Sequence, residues 1–310
     1  MIMKRNRKKK IKAILPIFVL ILMVISFIGG HFTAQNDTRK AQVKLESSTK
    51  ASSSVIIGKA QQSIMVPTIY INGSGGDIRP SQHIIDGMFP NKATAPETGL
   101  TILVDISRNN KLTVSGKISS TDKNPIVQFA TVKGTDDGEL YSKALKVAMD
   151  YLVSTYHITK INMVGYSSGA TGGLYYILDY GNESDAPKVQ EFISLDGEYN
   201  KEKNLEAGET LQDVLTYGPI LKTSMYQYIE DRYTKIDPNT KFYLMEGNWS
   251  LEKQTDEAIP WADTFSIYHL LVANKNNVNM YLYPTKLRHG LVPKDPLVAN
   301  YIKNILYPTL

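Results

Sequence analysis

The chain has 310 residues, 42% of them hydrophobic, and it contains no cysteine, so it can bury a sizeable core while disulfide frameworks, lipoprotein attachment and cysteine metal centres are excluded. Its net charge of +5 is unevenly spread: residues 1–40 hold nine Lys/Arg and one acid, leaving 26 basic against 29 acidic residues for the remainder. The basic cluster abuts an apolar span instead of lining a folded face, which removes the support for a nucleic-acid partner.

Residues 1–12 read as a basic cytoplasmic tail. Residues 13–32 carry no Asp, Glu, Lys or Arg and are rich in Ile, Leu, Val and Phe. At ~1.5 Å per residue such a helix crosses a hydrocarbon core of ~30 Å. The positive-inside tendency then leaves everything after it outside the cell. No Ala-x-Ala site follows the run, and it is longer than a usual signal core, so an uncleaved transmembrane anchor is expected in preference to a cleaved signal peptide. Residues 33–54 are polar and include Ser47-Ser-Thr-Lys-Ala-Ser-Ser-Ser54, the composition of a flexible stalk. Residues 55–310 alternate short apolar runs with helical stretches, which predicts one α/β domain: a mostly parallel sheet with helices on both faces.

Within that domain, the β-branched run 67–71 breaks into Asn72-Gly73-Ser74-Gly75-Gly76-Asp77. Lipases and esterases carry a His-Gly-x-Gly loop here whose backbone N–H faces an oxyanion, and the main chain of Ser74 is the expected donor. No G-x-G-x-x-G spacing follows this strand and no Gly-Lys-Ser/Thr occurs, so a dinucleotide or phosphate loop is disfavoured. A helix is expected over 145–156 and a strand from 161. That strand runs into Gly165-Tyr166-Ser167-Ser168-Gly169. A serine on a sharp strand-to-helix turn needs small neighbours two residues either side, which Gly165 and Gly169 supply. The turn also leaves the Ser168 N–H at the helix start, where it can stabilise an oxyanion.

A serine nucleophile needs a general base, and the chain has five histidines. His31 ends the apolar span, His83 lies in an early loop, His157 precedes the Ser167 strand and His269 falls inside a helical pattern. His289 follows the alternating run 278–283 and precedes Gly290, which is the place for a base. The acid lies between them in the order serine, carboxylate, histidine. Asp196 follows the strand 189–195, Glu246 ends the strand 241–245, and Asp256 lies further into the next loop with the length to reach His289. Residues 199–240 form an insertion carrying Leu211, Val214, Leu215, Ile220, Leu221, Met225 and Tyr228 at near-helical spacing, suited either to packing on the sheet or to capping the site.

Taken together, these residues resemble the cell-surface α/β-hydrolases of low-GC Gram-positive bacteria, a domain of unknown function related to lipases and esterases. The likeness spans roughly residues 55 to 307. It rests on Thr68 to Gly76, on Gly116 through Asn124-Pro-Ile-Val-Gln-Phe129 as a hairpin-like region, on the helix 145–156, on Ile161 to Gly169, on Thr255-Asp-Glu-Ala-Ile-Pro260 and on Arg288-His289. The resemblance implies an α/β-hydrolase fold with a helical insertion before the acid strand. In such proteins a Ser-Asp-Gly-x-Val-Pro segment carries the triad aspartate, and Asp256 matches that position. The family tends to have histidine where this chain has Asn72 and Tyr166.

The expectation is therefore a membrane-anchored extracytoplasmic serine hydrolase acting on a small-molecule or lipid-like ester. Ser167 attacks, His289 moves the proton, Asp256 orients His289, and the amides of Ser74 and Ser168 hold the oxyanion. No metal or organic cofactor and no obligate protein partner is implied. An acyltransferase or amidase would use the same residues, and a noncatalytic surface-binding module would use the same fold.

Overall fold

The structure, a computed structural model, describes residues 65–96 and 99–308. The expected tail, span and stalk at 1–12, 13–32 and 33–54 lie outside the described residues. Among those described, no helix is long and apolar enough to cross a membrane.

Eight strands form one sheet: β1 (Thr68–Ile71), β2 (Gly99–Asp105), β3 (Lys111–Lys117), β4 (Ile126–Thr131), β5 (Lys160–Tyr166), β6 (Lys188–Leu195), β7 (Lys241–Asn248) and β8 (Asn277–Pro284). Their spatial order is β3-β2-β4-β1-β5-β6-β7-β8, with β2 and β3 antiparallel and every other neighbouring pair parallel. Strand character follows burial. The six residues of β4, Ile-Val-Gln-Phe-Ala-Thr, are all buried, as a central parallel strand covered on both faces requires. By contrast β3, with Lys111, Thr113, Ser115 and Lys117, is largely exposed and protects an edge with polar side chains.

The run ending at Phe129 does not close a hairpin, contrary to expectation. The hairpin is β2–β3, turned at Asn109 and Asn110, which hold the left-handed φ values of 53° and 55° that asparagine tolerates. The apolar run 126–131 instead crosses back as β4, between β2 and β1, because only a central place buries both of its faces.

Eight helices cover the sheet among the described residues: α1 (Arg79–Met88), α2 (Gly138–Tyr156), α3 (Ser168–Tyr180), α4 (Leu211–Tyr217), α5 (Ser224–Glu230), α6 (Trp261–Thr264), α7 (Tyr268–Ala273) and α8 (Pro296–Leu306). Strand alternation sorts side chains between two cores. Ile69, Ile71, Phe129, Met163 and Phe192 meet Tyr141, Leu145, Leu152 and Leu174 of α2 and α3 on one face. Tyr70, Val164, Ile193 and Met245 meet Ile84 and Met88 of α1 and Val298 and Ile302 of α8 on the other. The Asp137 side chain caps α2 by accepting from the N–H groups of Glu139 and Leu140, and His157 ends that helix in the left-handed conformation.

The insertion packs on the sheet. Tyr226 and Ile229 of α5 and the following Ile236 are buried in the same core as Phe192 and Phe242, and Tyr228 stacks on Tyr175 of α3 with centroids 4.3 Å apart. His83 lies exposed on α1 instead of in a loop.

Because Phe192 is fully buried and holds β6 against both Gly173 of α3 and Phe242, Phe192→Ala is expected to lower the unfolding free energy by ~3–5 kcal/mol. Leu251→Ala, at a site 71% exposed, should stay within about 0.5 kcal/mol of the parent in the same chemical denaturation series.

Candidate active site

The site lies at the carboxyl ends of β1, β5, β6, β7 and β8. Ser167 links β5 to α3 with φ 54° and ψ −132°, a sparsely populated conformation for a residue with a side chain. The turn is held on both sides: the Ser167 N–H donates to Leu195 O at 3.0 Å, and Ser167 O accepts from the Ala170 N–H at 2.8 Å. The flanking glycines are sterically required. A Cβ on Gly165 would lie 2.5 Å from Ala170 Cα, and one on Gly169 would lie 2.5 Å from the carbonyl oxygens of both Ile71 and Asn72. Ser168 is the first residue of α3, so its N–H has no partner within the helix.

His289 begins a short helical turn after β8 and is mostly buried. Its Nε2 lies 2.9 Å from Ser167 Oγ, and its Nδ1 is hydrogen-bonded to Asp256 Oδ2. With Asp256 as a carboxylate, which only accepts, Nδ1 carries the proton and Nε2 is left to accept from the Ser167 hydroxyl. The other Asp256 oxygen accepts from the N–H groups of Ala258 at 2.8 Å and Ile259 at 2.7 Å, while Asp256 O accepts from the His289 N–H at 3.2 Å. The acid loop therefore fixes both its own carboxylate and the backbone of the histidine. Burial disfavours the imidazolium, but the hydrogen bond and charge of Asp256 outweigh it and hold His289 above its ordinary value.

The structure brings Ser167, His289 and Asp256 into one hydrogen-bonded chain and leaves the competing carboxylates out of it. Glu246 is fully buried within β7, where Oε2 accepts from Thr264 Oγ1 at 2.6 Å, and burial pushes its carboxyl well up. Asp196, also fully buried, accepts from the Tyr283 hydroxyl at 2.8 Å and the Gly247 N–H at 3.0 Å. His269 instead bonds the Tyr226 hydroxyl at 3.1 Å.

The glycine loop after β1 closes over the elbow. A Cβ on Gly73 would lie 3.2 Å from Ser167 Cβ, so the loop backbone lies against the serine. Ser74 is one residue further on, in an exposed turn whose carbonyl packs against Gly134. Asn72 locks the loop: its Nδ2 donates to Ser81 Oγ at 3.0 Å and Phe129 O at 2.9 Å, and its Oδ1 accepts from the Ser81 N–H at 2.8 Å. Sequence reasoning gave no role to Tyr166 or Tyr283. Tyr166 stacks on the His289 ring with centroids 5.4 Å apart and donates its hydroxyl to His289 O at 2.7 Å. Its place between Gly165 and Ser167 was the available signal.

Gly169→Ala must displace the end of β1 or the start of α3, an overpacking that costs ~1–3 kcal/mol and moves Ser167 against the loop. The expected outcome is a lower melting temperature in thermal denaturation. An unchanged melting curve would contradict the packing described.

Among the solved structures that share this fold are two from Gram-positive bacteria. A gene product of Listeria innocua is 21% identical with a TM-score of 0.71, covering 79% of this chain and 95% of its own. A Lactobacillus plantarum WCFS1 protein, provisionally named a cell surface hydrolase, is 17% identical with a TM-score of 0.64, covering 80% of this chain and 94% of its own. No curated protein sequence matches the chain. Residues 57–309 match the family described as alpha/beta hydrolase of unknown function (DUF915), and the chain belongs to that family.

Proposed function

We propose that the chain is an extracytoplasmic serine hydrolase acting on carboxylic esters, with Ser167 as nucleophile, His289 as general base and acid, and Asp256 as the carboxylate that orients His289. The observation that carries this reading is the hydrogen-bonded run from Ser167 Oγ through both His289 nitrogens to Asp256, mounted on a strained strand-to-helix turn. Attack on the carbonyl forms the bond from Oγ to carbon as the hydroxyl proton passes to Nε2. Collapse of the tetrahedral intermediate expels the alkoxide, which takes that proton from Nε2. Water then repeats the sequence on the acyl-enzyme. The negative oxygen of each intermediate is assigned to the amides of Ser168, at the start of α3, and Ser74, on the loop whose Gly73 abuts Ser167.

The membrane part of the proposal rests on sequence. Residues 13–32 anchor the chain, residues 1–12 stay in the cytoplasm, and residues 33–54 space the hydrolase domain from the bilayer. The provisional name of the Lactobacillus protein supports an outside location.

Fluorophosphonate should label the protein at Ser167, and Ser167→Ala should abolish labelling and reduce kcat on a simple ester by ~10⁴-fold or more. Labelling that survives in Ser167→Ala would sink the assignment. The pH profile gives an independent check. His289 must be neutral to accept the serine proton, and its ionisation is shifted upward, so kcat/KM should fall as pH drops through a value above 6.5. An acid limb below 6.5 would mean that burial of the ring outweighs the hydrogen bond and charge of Asp256.

For the anchor, fractionation should recover the unprocessed chain in membranes, with the serine-rich stalk cut first by protease added to intact wall-stripped cells. A mature form in the medium starting between Gly29 and Asn36 would replace the anchor with a cleaved signal peptide.

A further inference from the structure

Asp196 has no part in the hydrogen-bonded chain just described, yet it is built into the same space. It follows β6 directly and is fully buried, with φ 47°, a left-handed backbone that aspartate adopts at a cost. Its Oδ1 accepts from the Gly247 N–H at 3.0 Å, and both carboxyl oxygens lie 2.8 Å from the Tyr283 hydroxyl. A carboxyl oxygen of Asp196, one of Asp256 and a ring nitrogen of His289 all lie within 4.8 Å of one another. Two carboxyl groups thus flank one imidazole, one hydrogen-bonded to it and the other held a few ångströms off by a tyrosine and a backbone amide.

Two full negative charges this close in a buried space are unfavourable, because each opposes the ionisation of the other. Burial, reinforced by the charge of Asp256, pushes the Asp196 carboxyl up, toward its neutral form. The other groups facing it act in opposing directions. Glu246 of β7 is itself pushed toward its neutral form, the tyrosines Tyr166 of β5 and Tyr283 of β8 stay protonated, and His289 favours the charged carboxylate.

Resting on the triad reading above, we propose that Asp196 is a reserve carboxylate for His289: held within reach of the imidazole by the Tyr283 hydroxyl and the Gly247 amide, it supplies the counter-charge to the ring when Asp256 is neutralised. In Asp256→Asn the charge that opposed ionisation is gone. Asp196 then releases its proton to solvent, and its carboxylate stabilises the imidazolium formed when Ser167 gives up its proton. The carboxylate is already oriented, since the Tyr283 hydroxyl and the Gly247 amide are donors placed to solvate it. Asp196 acts on the reaction through His289 and is a positioning residue.

The test is a double-mutant cycle on kcat for a simple ester, with Asp196→Asn chosen because asparagine accepts left-handed backbone. Asp196→Asn should cost at least about tenfold more in the Asp256→Asn background than in the parent. Asp256→Asn alone should fall short of the ~10⁴-fold loss expected of a triad left with no counter-charge. The acid limb of kcat/KM should lie lower in D196N/D256N than in D256N, a displacement that a purely structural role for Asp196 would not produce. An equal factor in both backgrounds, or the same acid limb in D256N and D196N/D256N, overturns the proposal.

Should Asp196→Asn fail to fold, Tyr283→Phe removes the hydroxyl donor from the same carboxyl group. It must then depress D256N more than the parent, and an equal loss in both backgrounds again overturns the proposal. The triad reading fails separately: it falls if Ser167→Ala still reacts with the fluorophosphonate, whatever the cycle shows.

Discussion

The close approach of the start of α3 to the end of β1 is the constraint on which the site depends. With hydrogen alone at residue 169, the helix can begin against the carbonyl oxygens of Ile71 and Asn72, where a Cβ would intrude to 2.5 Å. That contact fixes the direction in which α3 leaves the sheet and forces Ser167 into its φ 54° conformation. A residue held this way costs about 1–3 kcal/mol, and the surrounding structure must over-determine it. It does: Gly165 admits Ala170, Leu195 O takes the Ser167 N–H, and the loop backbone at Gly73 closes the remaining side. The serine hydroxyl then projects toward the one histidine that follows the last parallel strand.

A second constraint comes from burying acids. Asp196, Glu246, Asp256 and Asp263 are all fully buried around the ends of β6 and β7. An unpaired buried carboxylate is prohibitive, so each is accommodated differently. Asp256 is given an imidazole and two amides. Asp263 accepts from three backbone N–H groups, those of Tyr199, Asn200 and Glu202, yet burial still pushes it up to about 7. Glu246 receives one hydroxyl, from Thr264, and its other oxygen has no partner among the described residues. Burial drives Asp196, Glu246 and Asp263 toward their neutral forms, while Asp256 is the one of the four that is hydrogen-bonded to the histidine. The Asp263 clamp also shapes the start of the insertion, because it gathers the backbone just after β6 into one turn beside α6.

Much of this was legible from residue types. Gly165, Ser167 and Gly169 follow from the sterics of the turn, and His289 from its place after the final strand. Asp256 was separable from Glu246 because side chains within a strand's last residues stay with the sheet, and Glu246 does. What escaped was whatever depends on depth. Asp196 sits in a sequence context, a loop start followed by glycine, that usually marks a solvated turn, and nothing local reveals that Tyr283, 87 positions away, supplies its hydrogen bond. The hairpin was misplaced for a related reason. An extended apolar run such as 126–131 has the same local signature whether it returns beside its predecessor or crosses to the middle of the sheet, and burial of both faces decides.

The two positions where the family resemblance implies histidine, Asn72 and Tyr166, bear on how the site keeps its shape. Asn72 uses its amide to bind Ser81 and Phe129, joining β1, β4 and the start of α1 before the chain turns into the glycine loop. Its carbonyl oxygen meanwhile accepts the Tyr141 hydroxyl from α2. Tyr166 covers one face of the His289 ring and captures that residue's carbonyl, so ring and backbone are fixed by one side chain. A hydroxyl anchored on a backbone carbonyl does not change charge near neutral pH, whereas a histidine in the same place would bring a second titration beside the base. Tyr166 thereby couples the position of His289 to β5, the strand that carries Ser167.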